Sequence, residues 1–157
     1  MREATKYNLV IRILVIPVCT VICHYFSWFY LRKFNTDILF SSMKFFGLKA
    51  TRTSPVLFRV DNHSFFIGTS CTSIDVYLSS IPLLWKLREA TAKQLKYFFT
   101  YFVIFFSINQ LRLLFGFVLY NQGVSWTWAH EIPSGLFIFG TFLWIVQQRR
   151  WSIRATA

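Results

Sequence analysis

The sequence predicts an all-α integral membrane protein of about four transmembrane helices, with a short extracytoplasmic helical or hairpin segment between the first and second. Two observations carry this. Of the 157 residues, 55% are hydrophobic and only 15% are charged. That is more apolar surface than a soluble domain of this length can bury. The apolar residues also fall in runs of bilayer length, near residues 7–30, 69–87, 97–120 and 132–147. The length allows a single domain over residues 1–157. Disorder is excluded, because low hydrophobicity is its signature. The net charge of +11 invites a nucleic-acid reading, but such a domain does not carry runs of this kind, so no nucleic acid is expected.

The first run, at ~1.5 Å per residue, covers about 36 Å, enough to cross with some tilt. Arg12 lies near its start and can snorkel, and Trp28 and Tyr30 suit the opposite interface. A cleaved signal peptide is disfavoured, since no small-x-small site precedes Arg32-Lys33. Residues 34–48 space their apolar side chains at near-helical intervals and can lie flat in the interface. Thr51-Arg52-Thr53-Ser54-Pro55 breaks that pattern. Residues 56–67 then read as a hairpin turning at Asp61-Asn62-His63-Ser64.

The second span follows Gly68-Thr69-Ser70, with Ser70 or Thr69 as cap. It is the most polar of the four. Cys71, Asp75 and Ser79 recur every four residues and so share a face of one helix, and Pro82 is a potential kink. A basic loop with Lys86, Arg88, Lys93 and Lys96 leads to the third span, which exits at Asn121-Gln122-Gly123. The fourth starts near Pro133, after the aromatic stretch Trp126-Thr127-Trp128. Lys and Arg outnumber those of the outer loops in the segments holding Arg2, Lys6, Lys86, Arg88, Lys93, Lys96, Arg149, Arg150 and Arg154. Both termini are therefore expected in the cytoplasm of a plasma (inner) membrane protein, with the lipid bilayer as its first partner.

Arg112 is the charge this plan does not explain. It lies 15 residues into the third span, about 23 Å from its inner end. A cation at that depth costs ~2.5 kcal/mol or more unless paired or hydrated. Asn109, three residues earlier, shares its face. Cys71 opens the second span, a position that favours a thiolate, and His130 precedes the fourth. All three fall at one depth on the extracytoplasmic side. Together they are the set that acyl transfer needs: a thiol nucleophile, an oxyanion stabiliser and a base. Cys19, Cys23 and His24 cluster on the first span but supply too few ligands for a metal centre, and no metal or other cofactor is expected. Three cysteines leave one unpaired in any disulfide scheme, and His63 reads as a turn residue.

Cys71 after a hairpin-like segment, Asn109-Gln110-Leu111-Arg112 within a span, and His130 with Gly135 shortly after together resemble the exosortase/archaeosortase family of membrane cysteine transpeptidases. The resemblance covers roughly residues 56–146. It implies catalytic Cys71, Arg112 and His130, with Asn109 supporting. Asp75 is available to orient His130 or to pair with Arg112. It also implies secreted protein substrates that end in a short motif, a hydrophobic helix and a basic tail. These are cleaved at the extracytoplasmic face through a thioacyl intermediate and in some members passed to an acceptor. The chain departs from the family in placing Thr72-Ser73 after the cysteine, where Ser-Gly is common, and in its few spans. The alternative is a non-catalytic membrane subunit or scaffold for envelope protein export, in which Arg112 and Asp75 form a buried pair.

Overall fold

The computed structural model describes residues 2–60, 63–85 and 90–154, with side chains from Val10 to Ile145 in those stretches. The chain is mostly helical but not all-α. In order it forms α1 (Arg2–Tyr25), α2 (Phe29–Phe45), β1 (Ala50–Ser54), β2 (Leu57–Val60), β3 (His63–Phe66), α3 (Thr69–Thr72), α4 (Ile74–Leu84), α5 (Thr91–Asn121), a π-helical turn (Thr127–Glu131) and α6 (Ile132–Arg154).

The expected first span does not run to Tyr30. Trp28 adopts a left-handed conformation, φ 47°, and α2 leaves α1 at 83°. The indole Nε1 of Trp28 donates to the Cys23 carbonyl at 2.7 Å, so the aromatic side chain satisfies one of the orphan acceptors at the end of α1 and holds the corner. Trp28 is thus a hinge residue rather than a terminal anchor.

The expected hairpin is a three-stranded antiparallel sheet in the order β1-β2-β3. The additional strand, β1, is the segment that reads as a helix breaker in sequence. Its threonines suit a strand, and it pairs Ala50 with Val60 and Arg52 with Phe58 before a register shift near Ser54. Phe58 and Val60 point inward and Arg59 outward, the alternation a one-sided sheet requires. Val60 pairs with His63, which belongs to β3 and packs edge-on to Tyr120 at 5.8 Å. The turn is therefore shorter than expected. Its residues Asp61 and Asn62, like the expected cytoplasmic cations Lys86 and Arg88, lie outside the described residues.

The second expected span is interrupted. Ser73 takes the left-handed conformation, φ 53°, and separates the four-residue α3 from α4. An 11-residue helix is about 16 Å long, half a bilayer core. Asp75 and Ser79 face α1, where His24 Nε2 lies 3.2 Å from Asp75 and Thr20 Oγ1 lies 2.8 Å from Ser79. Arg12 continues this antiparallel seam. Its Nη1 donates to the carbonyls of Pro82 and Trp85, both at 2.7 Å, and so closes the open end of α4 instead of snorkelling.

Among the described residues, α5 alone is long and apolar enough to cross a membrane, and the bent α1–α2 pair would make a second. Four crossing helices are not shown. Two apolar clusters hold the chain together. One packs Leu39 and Met43 of α2, Phe58 and Val60 of the sheet, and Leu113 and Phe117 of α5. The other packs Val76, Leu83 and Leu84 of α4 with Phe98, Tyr101 and Phe105 of α5 and Ile145 of α6. Asn109 lies on α5 between them, and the candidate site is built there.

Candidate active site

Because Ser73 turns left-handed, α3 stops one residue after Cys71, and a last-turn carbonyl needs a partner outside its own helix. The Cys71 carbonyl receives two. Asn35 Nδ2 of α2 donates at 3.0 Å and Asn109 Nδ2 of α5 at 2.8 Å. Both asparagines are fully buried. Gln110 Nε2 in turn donates to Asn35 Oδ1 at 2.5 Å. The cysteine backbone is thus clamped by carboxamides from two helices.

Asn109 also organises what lies beside the cysteine. Its Oδ1 accepts from Ser73 Oγ and from Arg112 Nη2, both at 2.8 Å. On the other side, Arg112 Nη1 donates to Ser134 Oγ, and that hydroxyl donates to the His130 carbonyl at 2.5 Å. Arg112 therefore stands between the Cys71 segment and the His130 segment, tied to one through Asn109 and to the other through Ser134. Its guanidinium is 5.6 Å above the ring of Phe137 and within Coulombic reach of both the Cys71 thiol and the His130 ring. Arg112 Nε and His130 Nδ1 are buried and have no hydrogen-bond partner among the described residues.

His130 lies in the π-helical turn and stacks on Trp126, centroids 4.4 Å apart. The turn approaches α5 closely because residue 116 is glycine. A Cβ there would sit 3.0 Å from the Ala129 carbonyl oxygen and 3.7 Å from His130 Cβ. Gly116→Ala should therefore push the turn off α5 and destabilise the protein by about 1–3 kcal/mol, read as a lower midpoint of thermal unfolding in detergent. Gly135, the glycine that stood out beside His130 in sequence, has open space around it, and Gly135→Ala should leave the midpoint unchanged.

The structure brings Cys71, Asn109, Arg112 and His130 into one neighbourhood, although no hydrogen bond joins Cys71 to His130 among the described residues. It does not bring Asp75 there as an ion-pair partner of Arg112 or as an orienter of His130. The Asp75 carboxylate is occupied by His24 and by the amide of Val76, at 2.9 Å. Cys71 also does not share a helix face with Asp75 and Ser79, since Ser73 breaks the period. Nor does a long helix begin at Cys71, so no macrodipole acts on the thiol. Burial raises the Cys71 thiol above its ordinary value, outweighing the Gly68 backbone contact and the charges of Arg112 and Arg32, so the thiolate expected at this position is not favoured in the resting protein.

Sequence reasoning missed Asn35, Ser134 and Arg32. Asn35 and Ser134 are small polar residues in otherwise apolar helices, and Ser134 is one turn from His130, which is the signal that was available. Arg32 reads as a loop cation. It is held by the carbonyls of Ile67 (2.8 Å) and Ser27 (3.2 Å) and lies 4.5 Å over Phe66. Among the described residues no group of three His, Cys, Asp or Glu side chains can hold a metal ion. No family profile, curated protein or solved structure matches the chain.

Proposed function

We propose that the chain is a bilayer-embedded cysteine enzyme that transfers acyl groups from peptide bonds, and more particularly a transpeptidase of the exosortase/archaeosortase kind. The observation that carries the reading is the placement of Arg112. This guanidinium is anchored at two nitrogens, has a buried Nε left over, and faces a thiol on one side and an imidazole with an unpartnered Nδ1 on the other.

The reaction follows from these roles. The Cys71 thiol gives its proton to His130, and the sulfur attacks the carbonyl of the scissile bond. The oxyanion forms against Arg112, whose donors are already fixed and need no reorganisation. Collapse breaks the C–N bond, His130 protonates the departing amine, and a thioester to Cys71 remains. An amine or water then attacks the thioester and regenerates the thiol. Burial first, and the Arg112 charge second, pull the His130 imidazole down to about 4, with Glu131 opposing, so it is neutral at pH 7 and a weaker base than a free imidazole. The acid limb of kcat/KM is accordingly expected near pH 4 rather than at the ordinary histidine value of about 6.5.

The bilayer is supported by what α5 leaves uncovered. Only 28% of its most apolar stretch is buried, and Phe99, Ile104 and Leu111 are each more than half exposed. From Lys93 to Arg112 the helix rises about 29 Å, close to the ~30 Å of a hydrocarbon core. With Lys93 at the cytoplasmic boundary, Arg112 stands at the outer boundary, where water and substrate meet it. A groove of about 580 Å³ runs between α5 and α6 from Ile108 and Phe137, beside Arg112, to Tyr97 and Trp144. It suits the apolar tail of a substrate whose basic end stays in the cytoplasm. Of the two marks of a scaffold, an Arg112–Asp75 pair and an inert buried thiol, the first is absent among the described residues, where Asp75 is engaged by His24, and labelling of Cys71 by an impermeant thiol reagent tests the second.

The test is to capture the thioester. The full chain in proteoliposomes, given an exported protein that ends in a motif, an apolar helix and a basic tail, should carry a substrate fragment on Cys71 that hydroxylamine removes. Cleavage without such an adduct, and unaffected by thiol alkylation, would overturn the reading.

A further inference from the structure

We infer that α2 is an in-plane helix that binds the anionic phospholipid headgroups of the leaflet it lies in, and that this contact seats Asn35 on Cys71. The inference rests on the bilayer placement of the preceding section but not on its chemistry. Three faces of α2 lead to it. Asn35, Thr36, Leu39 and Met43 form the buried face. Tyr30, Phe34, Ser41 and Phe45, at spacings of i, i+4, i+11 and i+15, form a second face, exposed at Tyr30, Ser41 and Phe45 and resting on Phe106 of α5 at Phe34. Tyr30 and Phe45 are 85% and 86% exposed. About 90° round the helix from that stripe lies a third line, Lys33, Asp37, Phe40 and Lys44.

The charges on and beside that third line do not balance. Asp37 is its acid, and Arg52 of β1 takes it at 2.5 Å. Lys44 lies 4.6 Å over Phe40, and Lys33, Lys49 and Arg59 are exposed without an ion pair among the described residues. Exposed aromatics beside cations without an ion pair match an interface where hydrocarbon meets phosphate. An acidic protein or nucleic acid would use the cations and leave the aromatic stripe in water. A second copy of the chain on a two-fold axis would set Lys33 and Lys44 against themselves.

The consequence for the site is mechanical. Asn35 is on the buried face of α2, about a quarter-turn or more from the aromatic stripe, and donates to the Cys71 carbonyl. Phe34, next to it, stacks on Phe106 of α5 at 5.7 Å. Lipid contact that fixes the roll of α2 about its axis therefore fixes the amide that holds the cysteine segment.

The test uses the full chain in phosphatidylcholine bilayers with trace nitroxide-labelled phosphatidylglycerol or phosphatidylcholine. The share of each lipid immobilised at the protein is read by electron paramagnetic resonance. Phosphatidylglycerol should be preferred about fivefold, the effect of roughly one effective cation, and less at high salt. The Lys33→Gln/Lys44→Gln/Lys49→Gln protein should lose that preference and exchange backbone hydrogens faster at residues 69–75, as Asn35→Ala should in any bilayer. Equal retention of the two lipids, an unchanged preference in the triple variant, or a second copy crosslinked along Phe34 and Phe45 would overturn the inference. A Cys71→Ala protein should keep the preference, so failure of the transpeptidase chemistry and failure of the lipid contact are told apart.

Discussion

Cys71→Ala should reduce processing of a tailed substrate by about 10⁴-fold or more, the scale of loss when a covalent nucleophile is removed. Arg112→Lys should reduce it by about 10²–10³-fold, the scale of losing an oriented oxyanion donor. The second variant keeps the charge, so it asks about shape. Arg112 spends Nη1 on Ser134 and Nη2 on Asn109 and still has Nε to offer. An ammonium is a point charge on a flexible stem and cannot hold both anchors while presenting a third donor in a fixed direction. The loss should fall on kcat, with KM within a few-fold, because the oxyanion exists only along the reaction path. Both are measured as initial rates in proteoliposomes. Normal processing by Cys71→Ala would sink the mechanism, and full activity of Arg112→Lys would reduce Arg112 to a source of charge.

Asn109→Leu should destabilise the protein by about 3–5 kcal/mol. Leucine keeps the branching and heavy-atom count of asparagine but loses its hydrogen-bonding atoms, and its bulkier methyls add to the loss. Asn109 accepts from Ser73 and Arg112 and donates to the Cys71 carbonyl. Its removal leaves a buried hydroxyl and a guanidinium nitrogen short of a partner, and a carbonyl with one donor instead of two, at about 1–3 kcal/mol for each group left unsatisfied. The check is denaturant unfolding in mixed micelles. Asp75→Asn is the comparison, since it weakens another polar contact between helices, the one with His24. There the partner His24 is 44% exposed and water can replace it, so the loss should be smaller. Equal losses would mean that Asn109 is no more than a seam residue.

The candidate site was partly legible. Asn109 and Arg112 lie three apart on one helix, and helical geometry alone guarantees that they meet, which they do at 2.8 Å. The exit of α5 was legible too. Asn121-Gln122-Gly123 carries the turn signal, and Gly123 has φ 90°, a conformation few other residues take. Asn35 was not legible. Its partner in the site is 36 positions away, and nothing in residues 29–45 says which helix will cover them.

The sequence by itself determined the apolar character of the chain, its long third helix, and the polar residues that such helices carry against cost. These follow from composition and from a period of 3.6 residues, both of which are local. The tertiary structure alone decided the corner at Trp28, the break at Ser73, the third strand, and the choice of His24 rather than Arg112 for Asp75. The physical reason is the same in each case. A left-handed tryptophan or serine is unfavourable alone and persists only where surrounding contacts over-determine it. Strand pairing and the partner of a buried carboxylate likewise depend on residues far away in sequence. Cys71 faces Arg112 because Ser73 turns it away from the face of Asp75 and Ser79, and Ser73 turns because Asn109 holds its hydroxyl and Asn35 and Asn109 hold the carbonyl before it.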